Sequence, residues 1–217
     1  MLHVSNQGFN NSGNSSGGGG STHQNPEPPP VSARVPERVA RGVYTTGQLV
    51  LDGPKEFVID FLQGLTRPHQ VAARVVVTPQ TMAEFIAALQ HNLEMYTQRF
   101  GPPPPFNPPQ PQQKPTIQEI YDNFRVPDDV LSGSYANSVL IGHSVTEFFF
   151  DFITVFYPTP AVSARVLISA AQVPRFLEML KRCFEQYQVR YKQFLEQQQQ
   201  RQQPSPPPPP PPTTNLG

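Results

Sequence analysis

Along residues 147–152 the side chains alternate, with Phe148, Phe150 and Phe152 on one face of an extended chain and Glu147, Phe149 and Asp151 on the other. The same period of two sets Ala164, Val166 and Ile168 against Arg165 and Leu167, so both stretches predict strands. A third strand is predicted from Tyr44 to Leu51, with a counterpart from Tyr135 to Ile141. Asp52-Gly53-Pro54 and His143-Ser144 follow these as hairpin turns. The period then becomes helical. Met82, Ile86, Leu89, Leu93 and Tyr96 recur at three- and four-residue spacings behind Thr78-Pro79, a cap residue followed by a first-turn proline. Val173, Leu177, Leu180, Phe184 and Tyr187 repeat this register, with Pro174 delaying the helix start.

These patterns are two copies of one unit. A shift of 91 positions aligns residues 34–99 with 125–190 without a gap, and 20 of the 66 pairs are identical. RVPERVARGVY (34–44) faces RVPDDVLSGSY (125–135), EFVIDF (56–61) faces EFFFDF (147–152), and VAARVVV (71–77) faces VSARVLI (162–168). A single sheet-plus-helix unit of this size covers one face only and has a marginal core. The expectation is an α+β fold: two tandem β-β-β-α repeats, over 34–101 and 125–196, forming one pseudo-twofold domain.

The run Gly133, Tyr135, Ala136, Asn137, Val139, Ile141, His143, Ser144, Glu147, Phe148, Asp151 and Phe152 resembles the bacterial domain of unknown function 3467. The first copy resembles that family's ending through Ala73, Arg74, Val75, Thr78, Pro79, Ala88, Leu89, Asn92, Tyr96, Phe100 and Gly101. Each copy departs from the pattern elsewhere: Thr46, Asp52 and Gly53 replace Asn, His and Ser, while Ala170 and Lys192 replace the capping Pro and final Gly. The resemblance implies a fusion of two units that associate when separate. It implies no activity.

Of 28 prolines, 20 lie in residues 1–33, 102–115 and 197–217, where Gly, Ser, Asn and Gln leave little apolar surface to offset ordering entropy. A disordered tail is expected over 1–33, a Pro/Gln-rich tether with room for a short helix over 102–124, and a second disordered tail over 197–217. Seven prolines at 206–212 and four at 102–105 predict polyproline II, read as a stiff spacer, with docking on an aromatic groove as the alternative. Lys plus Arg equals Asp plus Glu at 16 each, which excludes the long-range field of a dedicated duplex-DNA binder or polybasic membrane protein. The single Cys excludes an intrachain disulfide framework and any multi-Cys metal site. No signal-peptide pattern opens the chain and no apolar run reaches the ~20 residues of a spanning helix, so a cytoplasmic protein is expected, with no membrane association.

Glu147 and Asp151 share a strand face, as do Glu56 and Asp60. Paired carboxylates serve as acid and base or ligate a divalent cation, but residues four apart on a strand lie ~13 Å apart, too far to share a metal or water. Arg74 and Arg165 on the next strand favour cross-strand ion pairs instead. His143 and Ser144 point to opposite faces and lack a third group, so His143 is read as a turn histidine whose only chemistry is pH-dependent pairing. Asn137 is read as satisfying backbone at a bulge or strand end rather than a ligand, and Cys183 as a packing thiol. Tyr187, Tyr191 and Phe194 continue the helical seam beyond the repeat and form a candidate oligomer contact. No catalytic or metal motif occurs and no cofactor is called for.

The reading is therefore a non-catalytic protein-interaction or assembly module with a protein partner or self-association. The alternative, a single-stranded nucleic-acid binder, would use sheet aromatics and the local basic character of Arg175, Lys181, Arg182, Arg190 and Lys192. An enzyme lacks a constellation, and no small-molecule substrate is identifiable.

Overall fold

Each predicted first strand is two strands, and that break decides the architecture. In a computed structural model, which describes residues 3–5, 33–106, 115–156 and 158–202, the first copy runs through α1 (Glu37–Ala40), β2 (Val43–Thr45), β3 (Gly47–Asp52), β4 (Phe57–Gln63), β5 (Gln70–Val77) and α2 (Pro79–Phe100). The second runs through α4 (Asp128–Leu131), β6 (Ser134–Ala136), β7 (Ser138–His143), β8 (Glu147–Thr154), β9 (Ala161–Ser169) and α5 (Val173–Gln202). β1 (His3–Ser5) precedes them and α3 (Ile117–Asn123) lies in the tether.

The long strands form antiparallel meanders within each copy, β3-β4-β5 and β7-β8-β9, while the short strands cross over. β2 lies parallel to β9 of the other copy, pairing Tyr44 with Leu167, and β6 lies parallel to β5, pairing Tyr135 with Val76. The repeat is thus β-β-β-β-α with its first strand exchanged. Thr46 and Asn137 stand at the crossings, where their amides donate to Leu62 O and Ile153 O. The glycines before the crossing strands hold positive φ, 67° at Gly42 and 73° at Gly133. A Cβ on Gly42 would meet Leu167 at 2.6 Å and the Arg165 stem at 2.9 Å, so the exchanged strand enters only through a residue without one.

Equivalent residues meet across the pseudo-twofold axis. Phe61 contacts Phe152 with ring centroids 5.6 Å apart, and Phe85 contacts Phe176 at 6.0 Å. Lys181 Nζ donates to Gln90 Oε1 at 2.7 Å. One core results, containing Phe57, Phe61, Phe148, Phe150 and Phe152 from the sheets with Phe85 and Phe176 from the helices. Burying each such side chain contributes ~1.5–3 kcal/mol, and a single copy would leave this surface in water. The helices also reach across: Tyr96 Oη donates to Val145 O in the second copy's hairpin at 2.7 Å, and Arg190 of α5 pairs with Asp52 at the end of β3.

α2 begins as its sequence requires, with Thr78 capping and Pro79 in the first turn. α5 starts three positions later in repeat alignment, after a 3-10 turn over Ala170–Gln172, since Pro174 is tolerated only near a helix start. Two boundaries differ from the sequence expectation. His3–Ser5, placed in a tail, form β1, antiparallel on the exposed edge of β7, because that edge offers unpaired backbone groups. Residues 197–202, counted with the tail although Gln197–Gln203 read as helix-compatible and allow one helix of about 25–30 residues, continue α5 to Gln202. The tether does carry a short helix, α3, closed by a capping box between Thr116 and Glu119. The expectations for residues 6–32, 107–114 and 203–217, including the seven-proline run, fall outside the described residues. Among the described residues no helix is long and apolar enough to cross a membrane.

Candidate functional site

Two places concentrate the chemistry-bearing residues: the arginine clasps beside the pseudo-twofold axis, and the outer end of α5. The clasps follow from strand register. Asp60 pairs with Arg74 and Asp151 with Arg165 across neighbouring antiparallel strands, which sets each side-chain pair on one face. Arg74 Nε and Nη2 donate to the two Asp60 oxygens at 2.7 and 2.8 Å. Arg165 holds Asp151 in the same bidentate way at 2.6 and 2.7 Å.

The remaining guanidinium nitrogens bind the other copy. Arg74 Nη1 donates to Leu131 O at the end of α4 at 3.0 Å, and Arg165 Nη1 donates to Ala40 O at the end of α1 at 3.1 Å. Each arginine therefore ties its own sheet to the segment that leads in the other copy's exchanged strand. The first clasp has an extra member, Tyr121 of α3, whose Oη donates to Asp60 Oδ2 at 2.5 Å. Asp60 is fully buried and Asp151 nearly so. The hydrogen bond from each arginine to its aspartate, outweighing the opposing cost of burial, raises both guanidinium pKa values. Burial is the first cause, and the hydrogen bond to Asp60 the second, of a Tyr121 phenol pushed up to about 12.

Between the clasps lies a cleft of about 370 Å³ whose lining repeats about the pseudo-axis: Arg38 with Asp129, Val39 with Val130, Ala72 with Ser163, Ala73 with Ala164, and Arg74 with Arg165. The two central arginines are committed to carboxylates and carbonyls, so the cleft's charge is largely spent on holding the copies together. Tyr121, the carbonyl acceptors Ala40 and Leu131, and the axial cleft carry no signal in hydrophobic period or spacing.

The other sequence candidates are dispersed. Glu56 is exposed in the first hairpin, away from the Asp60 clasp. Glu147 Oε2 accepts from Ser144 Oγ at 3.0 Å and from Thr146 Oγ1, so the carboxylates of each Glu-Phe-x-x-Asp-Phe motif have separate partners. His143 is not in the turn as expected. It ends β7, is fully buried, and stacks 5.0 Å from Phe148 with Tyr96 at 5.7 Å, because the turn itself starts at Ser144, whose amide donates to Glu147 O. Asn137 binds backbone at its crossing: Oδ1 accepts from Val155 N at 2.7 Å and Nδ2 donates to Val155 O at 3.3 Å. Cys183 lies half-buried with Sγ 3.8 Å from Asp52 Oδ1, and burial pushes its thiol pKa up, away from thiolate reactivity. Among the described residues no group of three His, Cys, Asp or Glu could hold a metal ion.

At the outer end of α5 the seam changes character. Leu180 is buried, and Tyr187 packs edge-on against Phe57 at 5.0 Å. Tyr191 stacks on Tyr187 at 5.7 Å yet is 46% exposed, and Phe194 is 55% exposed. With Gly53, Pro54 and Lys55 of the first hairpin and Pro79 of α2, these rings line an open, mainly apolar groove of about 730 Å³.

The comparison with known families identifies the duplicated unit. A family model described as a protein of unknown function, DUF3467, matches residues 14–102 and again residues 106–196. No curated protein and no solved structure gives a significant match. The chain belongs to the DUF3467 family and consists of two tandem copies of its domain.

Proposed function

We propose that the chain is a non-catalytic protein-interaction or assembly module whose contact surface is the outer end of α5. The observation that carries this reading is the asymmetry between the two helices. α2 ends at the positive-φ Gly101, whereas α5 continues through Tyr191 and Phe194, which stay exposed beside an apolar groove. Exposed aromatic surface of this kind marks interaction sites in soluble proteins.

The alternative, single-stranded nucleic-acid binding, needs sheet aromatics free to stack on bases. Phe57, Phe61, Phe148, Phe150 and Phe152 are fully buried; among the described residues Tyr44, Tyr135 and Phe156 are exposed near the short strands and the end of β8, and Phe149 is partly exposed on β8 itself. The observation favours assembly. Affinity capture with the full chain and with Tyr191→Glu/Phe194→Glu tests it: loss of the bound protein at unchanged melting temperature is expected. Capture that survives the double substitution would contradict the assignment of the surface.

A further inference from the structure

We propose that the groove at the outer end of α5 is a polyproline-recognition site and that the chain's own Pro206–Pro212 run occupies it. The inference rests on the interaction surface proposed above and names the segment of the chain with which a protein partner competes for it. A polyproline II helix has three residues per turn and rises 3.1 Å per residue, so prolines on one face recur every ~9 Å. Tyr187 and Phe194 are seven residues apart on α5, ~10.5 Å along the axis, with the Tyr191 ring between them. Two aromatic walls at that separation, faced by Pro54 and Pro79, match the aromatic-lined grooves that bind such helices.

Length and charge single out the occupant. From Gln202 back to Phe194 is ~12 Å and to Tyr187 ~22 Å along the helix. Residues 203–212 span ~31 Å as polyproline II, enough to turn and lie along both rings. Residues 203–217 carry no Asp, Glu, Lys or Arg, so docking them adds no charged side chain to a mainly apolar groove whose own cations, Lys55 and the Asp52-paired Arg190, stand beside the rings. The four-proline run Pro102–Pro105 follows the far end of α2, ~32 Å along that helix from Pro79 at the groove, and cannot return over that distance, while Pro28–Pro30 is shorter still and has Glu27 beside it. A short tether to the groove also gives the tail a millimolar effective concentration, which favours it over a second copy at ordinary protein concentrations.

The test uses the full chain, a full-length variant with Pro206–Pro212 replaced by alternating Gly and Ser, and a synthetic peptide of residues 205–214 as probe. In NMR spectra the proline-substituted chain should show displaced ring signals for Tyr187, Tyr191 and Phe194. The peptide should restore them saturably, binding this variant at least tenfold more tightly than the native chain, and Tyr191→Ala/Phe194→Ala in the same background should abolish binding. Equal peptide affinity for native and substituted chains, or no binding to either, would overturn the proposal. A native dimer that the proline substitution dissociates would also overturn it, because the tail would then occupy a second copy. Partner capture that depends on Tyr191 and Phe194 while the peptide fails to bind would overturn this inference alone and leave the interaction surface standing.

Discussion

Replacing Arg74 by Met keeps the aliphatic stem and removes the guanidinium from the first clasp. Asp60, fully buried, then loses its bidentate partner and retains Tyr121 Oη as a donor. Leu131 O loses its donor as well, so the strut to the other copy is cut. Removing one partner of a buried ion pair costs ~3–5 kcal/mol because the remaining charge stays desolvated. The Arg74 side chain is 16% exposed, which lets some water reach the gap and puts the expected loss near the lower end, ~3 kcal/mol. Urea unfolding followed by far-ultraviolet circular dichroism checks it: with a slope of ~2 kcal/mol per molar, the midpoint should fall by ~1.5 M while the slope is unchanged. Adding Asp60→Leu to Arg74→Met should recover much of the loss, since an apolar replacement leaves no orphan charge. A loss below ~0.5 kcal/mol for Arg74→Met, the level of an ordinary surface change, would refute the clasp. So would a double variant no more stable than the single one.

Arg165→Met should cost less, ~2 kcal/mol in the same assay, because Asp151 keeps 8% of its side chain in solvent and can recruit water. Gly42→Ala should destabilise by ~2 kcal/mol or more through positive φ and the contact with Leu167, and a neutral result in thermal melting would contradict the crossing geometry. The raised pKa of Tyr121 favours the protonated phenol in the folded state, so its contribution is complete below the unfolded value of 10 and is lost as pH climbs towards about 12. Stability should fall across that window and Tyr121→Phe should flatten the fall, as measured by urea midpoints at stepped pH. Asn137→Ala should lower stability by ~0.5–1.5 kcal/mol, measured by urea unfolding, as the Val155 backbone groups exchange their side-chain partner for water.

Hydrophobic period was enough to read the meander strands and both helices, because core-facing phenylalanines and valines recur every second residue and helix residues every third or fourth. It also set Asp60 and Arg74 on one face of adjacent strands. The exchange was not legible, since Tyr44 to Leu51 has the same apolar alternation whether its first residues stay in one sheet or enter another. The usable signal was the glycine two residues before each tyrosine, Gly42 and Gly133, whose positive φ marks a change of direction. Burial of His143 went unread because an imidazole after a glycine resembles turn chemistry, whereas its neighbours Tyr96 and Phe100 come from the other copy's helix. Tyr121 is in the tether outside the 66 aligned pairs, so no repeat comparison could join it to Asp60.

Strand exchange between the copies can be tested in the intact chain by backbone proton contacts in a uniformly labelled sample. The account predicts nuclear Overhauser effects between Tyr44 and Leu167 and between Tyr135 and Val76, the parallel pairs that join one copy to the other. Contacts of Tyr44 with Val76 and of Tyr135 with Leu167 would mean that each copy keeps its own first strand, and would contradict it.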